Sequence, residues 1–288
     1  MTASSYRLVG RRGAPAVPPR LDAAQRRVVE HSGGPMVVLA GPGTGKTTTL
    51  VEAVAERVSR RGVPIENILV LTFSQRAAGE LRDRITARLG TTVREPVART
   101  FHSYAFGLLR LAADDDRPAP RLLSGAEQDV LIRELLAGDV ADQRADWPST
   151  VSPALATRGF AAQLRDLLLR AAERDVDPST LADLGRRFGR PEWRSAAVFA
   201  QQYLDVAAQE RPGAYDAAEL IQAAIAALEV HPSLLARERS RRRHIFVDEY
   251  QDTDPSQTRL LSLLAAGARE LVVVGDPDQS IYAFRGAD

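Results

Sequence analysis

The stretch that decides the fold is Ala40-Gly41-Pro42-Gly43-Thr44-Gly45-Lys46-Thr47. The apolar run Pro35–Ala40 leads into it and is typical of a buried parallel strand. Apolar residues between Leu50 and Val58 then recur at helical spacing and predict a helix. A strand, a glycine-rich loop ending in lysine and threonine, and a helix form the arrangement of a phosphate-binding loop. The sequence therefore predicts an α/β fold with a nucleotide site at this loop.

The residue types in the loop suit a nucleoside triphosphate. Glycines let backbone N–H groups converge on a phosphate, and the start of the following helix adds a positive dipole. Lys46 would bridge the β- and γ-phosphates, and the Thr47 hydroxyl would ligate Mg²⁺. We therefore predict ATP and Mg²⁺ as cofactors, bound by the loop residues Gly41, Gly43, Thr44, Gly45, Lys46, Thr47 and Thr48.

The basic residues single out the lysine of the loop. All of the 38 Lys and Arg residues are arginine except Lys46. Arginine replaces lysine at little cost on a solvated surface, but its broad planar guanidinium does not replace a compact ammonium in a confined anion site. The survival of one lysine in this loop therefore favours a phosphate contact.

A second acidic element lies about 200 residues further along the chain. The apolar triplet Ile245–Val247 predicts a central strand that presents Asp248 and Glu249 at its carboxyl end. Ligands bind at that end of the strands in open α/β sheets. Asp248 would hold the Mg²⁺, and Glu249 would polarise the attacking water as general base.

Other segments extend the same pattern of strands and helices. Three further strands are predicted, at Glu270–Val274, Asn67–Phe73 and Pro96–Thr100. Helical segments alternate with the strands and are predicted at Arg76–Leu89, Ser103–Leu111 and Ser256–Leu264. This alternation predicts a parallel sheet flanked by helices, with the motif loops together at one edge.

A long helical block interrupts the alternation. No strand is predicted from Asp114 to Glu210, where helices are expected at Ser124–Leu136, Pro153–Arg174, Pro178–Phe188 and Glu192–Glu210. We interpret residues 114–212 as an inserted all-helical subdomain between two parts of the core, 21–113 and 213–288. Residues 1–20 are predicted to be a flexible tail.

Composition excludes several other classes of site. The sequence has no cysteine, so disulfides and thiol nucleophiles are excluded, and its four histidines are not paired at metal-ligand spacing. No apolar run approaches membrane-spanning length, and the N-terminal residues lack the apolar stretch of a signal peptide. We expect a cytoplasmic protein.

With these motifs in hand, the sequence resembles the N-terminal half of a superfamily I DNA helicase of the UvrD/Rep/PcrA type. Six signatures occur in the order that the family has. They are Leu21–Arg26 (the Q-motif), Ala40–Thr47 (motif I), Leu71–Ala78 (motif Ia), Thr100–Ser103 (a single-strand contact), Asp248–Asp252 (motif II) and Gly275–Asp288 (motif III). The resemblance implies a RecA-like P-loop NTPase core that unwinds duplex DNA and translocates 3′→5′ on single-stranded DNA in repair or recombination.

The resemblance also implies roles for residues outside the loop. Gln25 would read the adenine edge, and Gln279 would sense the γ-phosphate as a catalytic residue. Aromatic residues near strand ends can stack on bases without sequence preference. The residues expected to contact DNA are Phe73, His102, Tyr282, Phe284 and Arg285. The family usually has tryptophan where Phe284 stands.

Members of the family carry a second RecA-like core after motif III. That core supplies arginines to the γ-phosphate, and such arginines raise phosphoryl-transfer rates by about 10³–10⁵. We therefore expect that the 288 residues are a truncated piece that hydrolyses ATP poorly. Two alternatives stay open: a motor subunit of a helicase–nuclease of the RecB or AdnA type, with a partner subunit, and a non-motor nucleotide-dependent DNA-binding module.

Overall fold

The computed structural model describes residues 18–90, 97–113, 118–142 and 147–280. These residues pack as two compact units. The first contains the described residues up to Thr100 together with Ser240–Tyr250 and Gly267–Asp278. The second contains Phe101–Arg239, Gln251–Ala266 and the described residues from Gln279 onward.

The first unit is built on a five-stranded sheet. Its strands are β1 (Gly34–Leu39), β2 (Ile68–Thr72), β3 (Ala98–Thr100), β6 (His244–Val247) and β7 (Glu270–Gly275). Strands are numbered in chain order, and the short β4 and β5 belong to the second unit. All neighbouring strands are parallel, and their order is β1-β7-β6-β2-β3. The parallel α/β sheet predicted from the sequence is confirmed.

Three helices accompany this sheet: α1 (Ala23–Glu30), α2 (Lys46–Ser59) and α3 (Gln75–Leu89). The apolar face of α2 is almost completely buried, and Leu50 and Val54 have no exposed surface. They pack in one cluster with Val70, Phe246 and Val272 of the central strands. Burial of such side chains contributes about 1.5–3 kcal/mol each. The helix that starts at the phosphate-binding loop is thereby fixed to the sheet.

Strand β1 differs from the prediction that it is buried. It lies at one edge of the sheet and pairs with β7, and Val37 and Leu39 are 70% and 73% exposed. A continuous apolar run is typical of a parallel strand covered on both faces. The same run cannot report which strands lie at the edge, because edge position depends on chain topology.

A buried ion network links helix α2 to the amino ends of strands β6 and β7. Arg57 of α2 is fully buried and donates hydrogen bonds to Glu270 and to the carbonyl of Val29. The Nδ1 atom of His244 lies 2.9 Å from Glu270 Oε2. Burial alone would raise the pKa of Glu270, but the hydrogen bonds from His244 and Arg57 outweigh it and hold the pKa at about 2. Glu270 therefore stays ionised and fully bonded.

The second unit is mostly helical. Its helices are α4 (Phe101–Ala112), α5 (Gly125–Asp142), α6 (Arg158–Glu173), α7 (Pro178–Arg187), α8 (Pro191–Glu210), α9 (Ala217–Val230), α10 (Pro232–Arg241, which extends into the first unit) and α11 (Pro255–Ala265). Trp147 and Phe199 lie in its main apolar cluster. Helix α9, at the centre of this unit, packs against α4, α6 and α11.

Two details of the helical block differ from the prediction. The two-residue strand β4 (Arg121–Leu122) lies within Asp114–Glu210, where no strand was predicted, and it pairs in parallel with the two-residue strand β5 (Ala214–Tyr215), which follows that range. Strands of two residues carry no periodicity, so the pattern could not reveal them. The expected helix Pro153–Arg174 begins only at Arg158, because the Thr157 side chain accepts the Phe160 N–H and caps the helix there.

Among the described residues, no helix is both long enough and apolar enough to cross a membrane.

Candidate phosphate-binding site

The glycine-rich loop adopts backbone conformations that L side chains disfavour. Gly43 has φ +70°, and Gly45, which caps the N-terminus of α2, has φ +83°. A Cβ atom at Gly45 would also lie 2.8 Å from Gln25 Nε2. Glycine is therefore required at Gly45 both by its left-handed backbone and by the side chain next to it.

The Gln25 side chain connects α1 to the loop. Its amide nitrogen donates to the Thr44 carbonyl at 2.9 Å, and its oxygen accepts from the backbone N–H of Asp22 at 3.0 Å. The Asp22 carboxylate in turn accepts the Gln25 N–H at 2.8 Å, which completes a capping box for α1. The amide keeps a second N–H that could bind a ligand beside the loop.

The loop lysine is held next to an acidic side chain from the distant strand β6. Lys46 Nζ lies 3.5 Å from Glu249 Oε2, and the lysine side chain is 9% exposed. This nitrogen is buried, and it makes no hydrogen bond to any of the described residues. A buried ammonium with unused donors is costly, so the site is suited to an anion that supplies acceptors.

Two neighbouring carboxylates face the lysine from the end of β6. Asp248 is buried, and its backbone N–H donates to the Leu71 carbonyl at 2.9 Å. Burial and the adjacent charge of Glu249 raise the pKa of Asp248 to about 6, although Lys46 and the Glu249 N–H lower it. Glu249 itself has φ +53°, an unusual value for a residue with a side chain. Such strain is common where a side chain is positioned for function.

The residues present fit Mg²⁺ only if a ligand supplies further oxygens. Among the described residues no group of three His, Asp or Glu side chains could hold a metal ion by itself. Mg²⁺ usually binds through one or two carboxylates together with substrate phosphates. Asp248 supplies an oxygen ligand that an added cation would help to ionise. The half-buried Thr47 hydroxyl, in the first turn of α2, could supply a second.

Other loop residues make local contacts. The Thr44 hydroxyl donates to the Gly41 carbonyl at 2.8 Å, which closes the loop on itself. The Thr48 hydroxyl accepts from Arg84 of α3 at 2.7 Å, so it is turned toward that helix. Arg84 was not among the site residues predicted from the sequence, because nothing in its position along α3 indicates a contact with α2.

A cleft of about 550 Å³ opens beside the loop. Its walls come from α1, including Gln25 and Val28, from β1, including Leu39, and from the loop residues Thr44 and Lys46. Most of its wall is apolar, as expected for a site that receives the flat base of a nucleotide. The cleft therefore joins the residue predicted to read adenine with the residues predicted to hold phosphate.

The other predicted site residues, those expected to contact DNA or to sense the γ-phosphate, lie in several different segments. Phe73 is half-buried directly after β2, and Gln279 ends a short 3₁₀ turn that follows β7. Burial lowers the pKa of His102 below its usual 6.5 despite the nearby Asp254, so its ring is neutral at pH 7. A phosphate contact by His102 would thus be a hydrogen bond and not an ion pair. Tyr282, Phe284 and Arg285 lie outside the described residues, and all these DNA contacts stay predictions.

Comparison with known proteins gives a consistent result. Residues 21–288 match the model of a family described as the UvrD/REP helicase N-terminal domain. The chain is similar to the ATP-dependent DNA helicase UvrD1 of Mycobacterium tuberculosis, at 33% identity over 281 residues, which covers 93% of this chain and 34% of the relative. It is also similar to the ATP-dependent DNA helicase PcrA of Staphylococcus aureus, at 30% identity over 272 residues with the same coverage. The chain thus spans about a third of the length of the curated relatives it matches.

Replacing Gly45 by Ala should destabilise the chain more than replacing Gly62 by Ala. Both glycines have positive φ, +83° and +66°, so each substitution costs about 1–2 kcal/mol in backbone strain. Only Gly45→Ala also displaces Gln25 from the Thr44 carbonyl, which adds about 0.5–1.5 kcal/mol. Urea unfolding of the two variants measures the difference in the free energy of unfolding. Equal losses would show that the contact with Gln25 contributes nothing.

Replacing Asp248 by Asn should stabilise the ligand-free chain at pH 8. The pKa of Asp248 is raised from 3.8 to about 6, so the folded state loses stability as pH rises through that interval. The amide carries no charge and avoids this penalty, which gives a gain of about 1–3 kcal/mol above pH 6 and none below pH 4. Urea unfolding at both pH values tests this, with Asp205→Asn on the exposed side of α8 as control. A gain that is the same at pH 4 and pH 8 would contradict the charge-based explanation.

Proposed function

Because the chain belongs to the family of UvrD/REP helicase N-terminal domains, we propose that it is the ATP- and DNA-binding part of an ATP-dependent DNA helicase. The parent enzyme hydrolyses ATP to translocate 3′→5′ along single-stranded DNA and to separate duplexes in repair or recombination. Its cofactors are ATP and Mg²⁺. Its partners are single-stranded DNA and duplex junctions, and it works in the cytoplasm. Residues 114–212 form a helical subdomain inserted into the RecA-like core.

The observation that carries the proposal is the buried ammonium of Lys46. It has unused donors, lies 3.5 Å from Glu249 and stands at the start of α2, where backbone N–H groups have no partner within the helix. A triphosphate supplies the acceptors that Lys46 lacks. The same anion is attracted by the positive end of α2.

Each residue of the site then has a separate task. Lys46 donates to the β- and γ-phosphates, and Gln25 donates its second amide N–H to the base in the adjoining cleft. Thr47 and Asp248 would hold a Mg²⁺ ion, which would supply positive charge beside the phosphates.

Glu249 acts as the general base. In the ligand-free chain its carboxylate forms an ion pair with Lys46, and a bound phosphate replaces Glu249 as the partner of the lysine. Glu249 is then free to orient the attacking water and accept its proton. Gln279, after β7, senses the γ-phosphate and couples hydrolysis to movement.

The DNA contacts follow the carboxyl ends of the strands. Phe73 comes directly after β2 and precedes α3, whose Arg84 contacts the second residue after the loop lysine. Helix α3 would thus connect a base stacked on Phe73 with the phosphate-binding loop. His102 and the motif III residues Tyr282, Phe284 and Arg285 are further proposed DNA contacts, as the family resemblance implies.

Substitutions at Lys46 and Glu249 should have different effects on nucleotide binding. Lys46→Ala should weaken binding of a fluorescent ATP analogue with Mg²⁺ by about tenfold or more, because a charge-assisted contact to phosphate is lost. Lys46→Arg should recover little of the affinity that Lys46→Ala loses, since the guanidinium is too broad for the site.

Glu249→Gln should leave analogue binding nearly unchanged and abolish ATP hydrolysis by the full-length protein. Fluorescence titration of the 288-residue chain and steady-state turnover of the full-length protein supply the two readouts. Full hydrolysis by Glu249→Gln would remove Glu249 as general base. Unchanged binding by Lys46→Ala would remove the phosphate site itself.

Phe73→Ala should weaken single-stranded DNA binding without changing nucleotide binding. A stacked base contributes about 1–3 kcal/mol, so affinity for an oligothymidylate should fall by about 5- to 150-fold. Phe188→Ala, at an exposed phenylalanine after α7, is the matched control and should have no effect.

Fluorescence anisotropy in the full-length protein measures the affinity, and stimulation of its ATPase by the same oligonucleotide should fall in parallel. If the oligonucleotide does not stimulate the ATPase activity of the full-length protein, the result would instead favour a non-motor nucleotide switch. Equal losses in the two phenylalanine variants would exclude a specific stack at Phe73.

A further inference from the structure

The helical unit contains a cavity that the proposed motor function does not use. It has a volume of about 270 Å³ and lies among α6, α7, α8 and the N-terminal turn of α9. Most of its wall is apolar and includes Leu168, Val176, Leu181, Ala200 and Leu204. Cavities between helices with apolar walls and a few convergent polar groups are typical small-molecule sites.

One end of the cavity is acidic. Asp216 and Glu219 line it, and each side chain accepts the backbone N–H of the other, at 2.8 and 2.9 Å. Asp216 also accepts a hydrogen bond from Gln128 at 2.8 Å. These contacts cap α9, but they bring two carboxylates together in a place that is mostly shielded from water.

No cation compensates this pair among the described residues. Burial raises the pKa of both carboxyl groups, and that of Glu219 reaches about 7 because Asp216 adds a second negative charge. The other two acids that line the cavity are satisfied differently: Asp175 pairs with Arg259 at 2.8 Å, and Asp177 caps α7. The uncompensated charge is therefore confined to one end.

A buried hydroxyl at the same end has no partner. Tyr203 lines the cavity and is 2% exposed, and its Oη makes no hydrogen bond to the described residues. The Gln128 amide, close to this hydroxyl, donates to Asp216 instead. Arg211, the nearby cation, donates to the Glu127 carbonyl. An unpartnered hydroxyl beside two carboxylates is an unsatisfied polar site, which a ligand could complete.

We propose that this cavity binds a small organic cation, an ammonium carried on an alkyl or arylalkyl body. The ammonium donates to Asp216 and Glu219 and offsets one unit of their negative charge, and the apolar body fills the space bounded by Leu181 and Leu204. The Tyr203 hydroxyl lies at the charged end and contributes polar contact there. The site is separate from the phosphate-binding loop and does not depend on the helicase proposal.

The chemistry of the cavity excludes other ligand classes. DNA and nucleotides carry negative charge and would be repelled by the two carboxylates. A divalent cation needs more oxygen ligands than this pair offers, and no group of three metal-ligating side chains occurs among the described residues. The apolar walls would also leave a hydrated metal ion without partners.

Phenethylamine and its neutral analogue 2-phenylethanol test the proposal on the 288-residue chain. Isothermal titration at pH 8 should show saturable 1:1 binding of the amine and at least about tenfold weaker binding of the alcohol, which lacks the charge. Glu219→Gln keeps an acceptor for the Asp216 N–H but removes a charge, and should weaken amine binding by about tenfold or more. Glu134→Gln, at an exposed glutamate of α5, should have no effect.

Filling the cavity provides an independent variant. Ala171→Leu, on the wall contributed by α6, should abolish amine binding while the circular dichroism spectrum stays unchanged. If that chain does not fold, Ala200→Leu on α8 replaces it. The proposal is overturned if the amine shows no saturable binding, if the alcohol binds equally well, or if neither Glu219→Gln nor the filled cavity weakens binding.

Discussion

The phosphate site depends on the parallel pairing of β7 with both β1 and β6. The register sets Val38 beside Val274 and Val247 beside Val273, so the strands end at nearly the same level. The loop after β1 and the acids after β6, about 200 residues apart in the chain, are thereby brought to one edge. The 3.5 Å contact between Lys46 and Glu249 is the direct result of that register.

This arrangement costs stability in the ligand-free chain. Gly45 is held in a left-handed conformation, Glu249 has φ +53°, and Asp248 is buried beside another acid. The ammonium of Lys46 is buried without a hydrogen-bond acceptor among the described residues. A bound triphosphate with its metal ion would relieve the two electrostatic costs together, because it brings both acceptors and positive charge. The site is thus organised for a ligand and not for stability.

Buried carboxylates occur in two different environments in the described part of this chain, one with neighbouring cations and one without. Arg57, Glu270 and His244 form a closed network in which the carboxylate is fully bonded and its pKa is held low. Asp216 and Glu219 have no such cation, and burial raises their pKa values instead. A closed network stabilises a fold, whereas a charge left without compensation inside a cavity marks a place where a ligand can bind.

The sequence by itself determined the parallel α/β core, the loop and the helix that follows it. These features depend on local patterns: glycines where positive φ is needed, apolar runs, and a lysine that arginine could not replace. It also pointed to Asp248 and Glu249, because a phosphate-binding loop needs a second acidic element to hold the metal ion and these acids follow an apolar strand.

Only the tertiary structure decided which groups meet and how each is solvated. It put β1 at the sheet edge, turned Thr48 toward Arg84, and left Tyr203 beside two carboxylates without a partner. Edge position, a contact between two helices and the pKa of a buried acid all depend on neighbours far away in the chain. Such neighbours leave no periodic signal in the sequence, because they are fixed only when the elements pack.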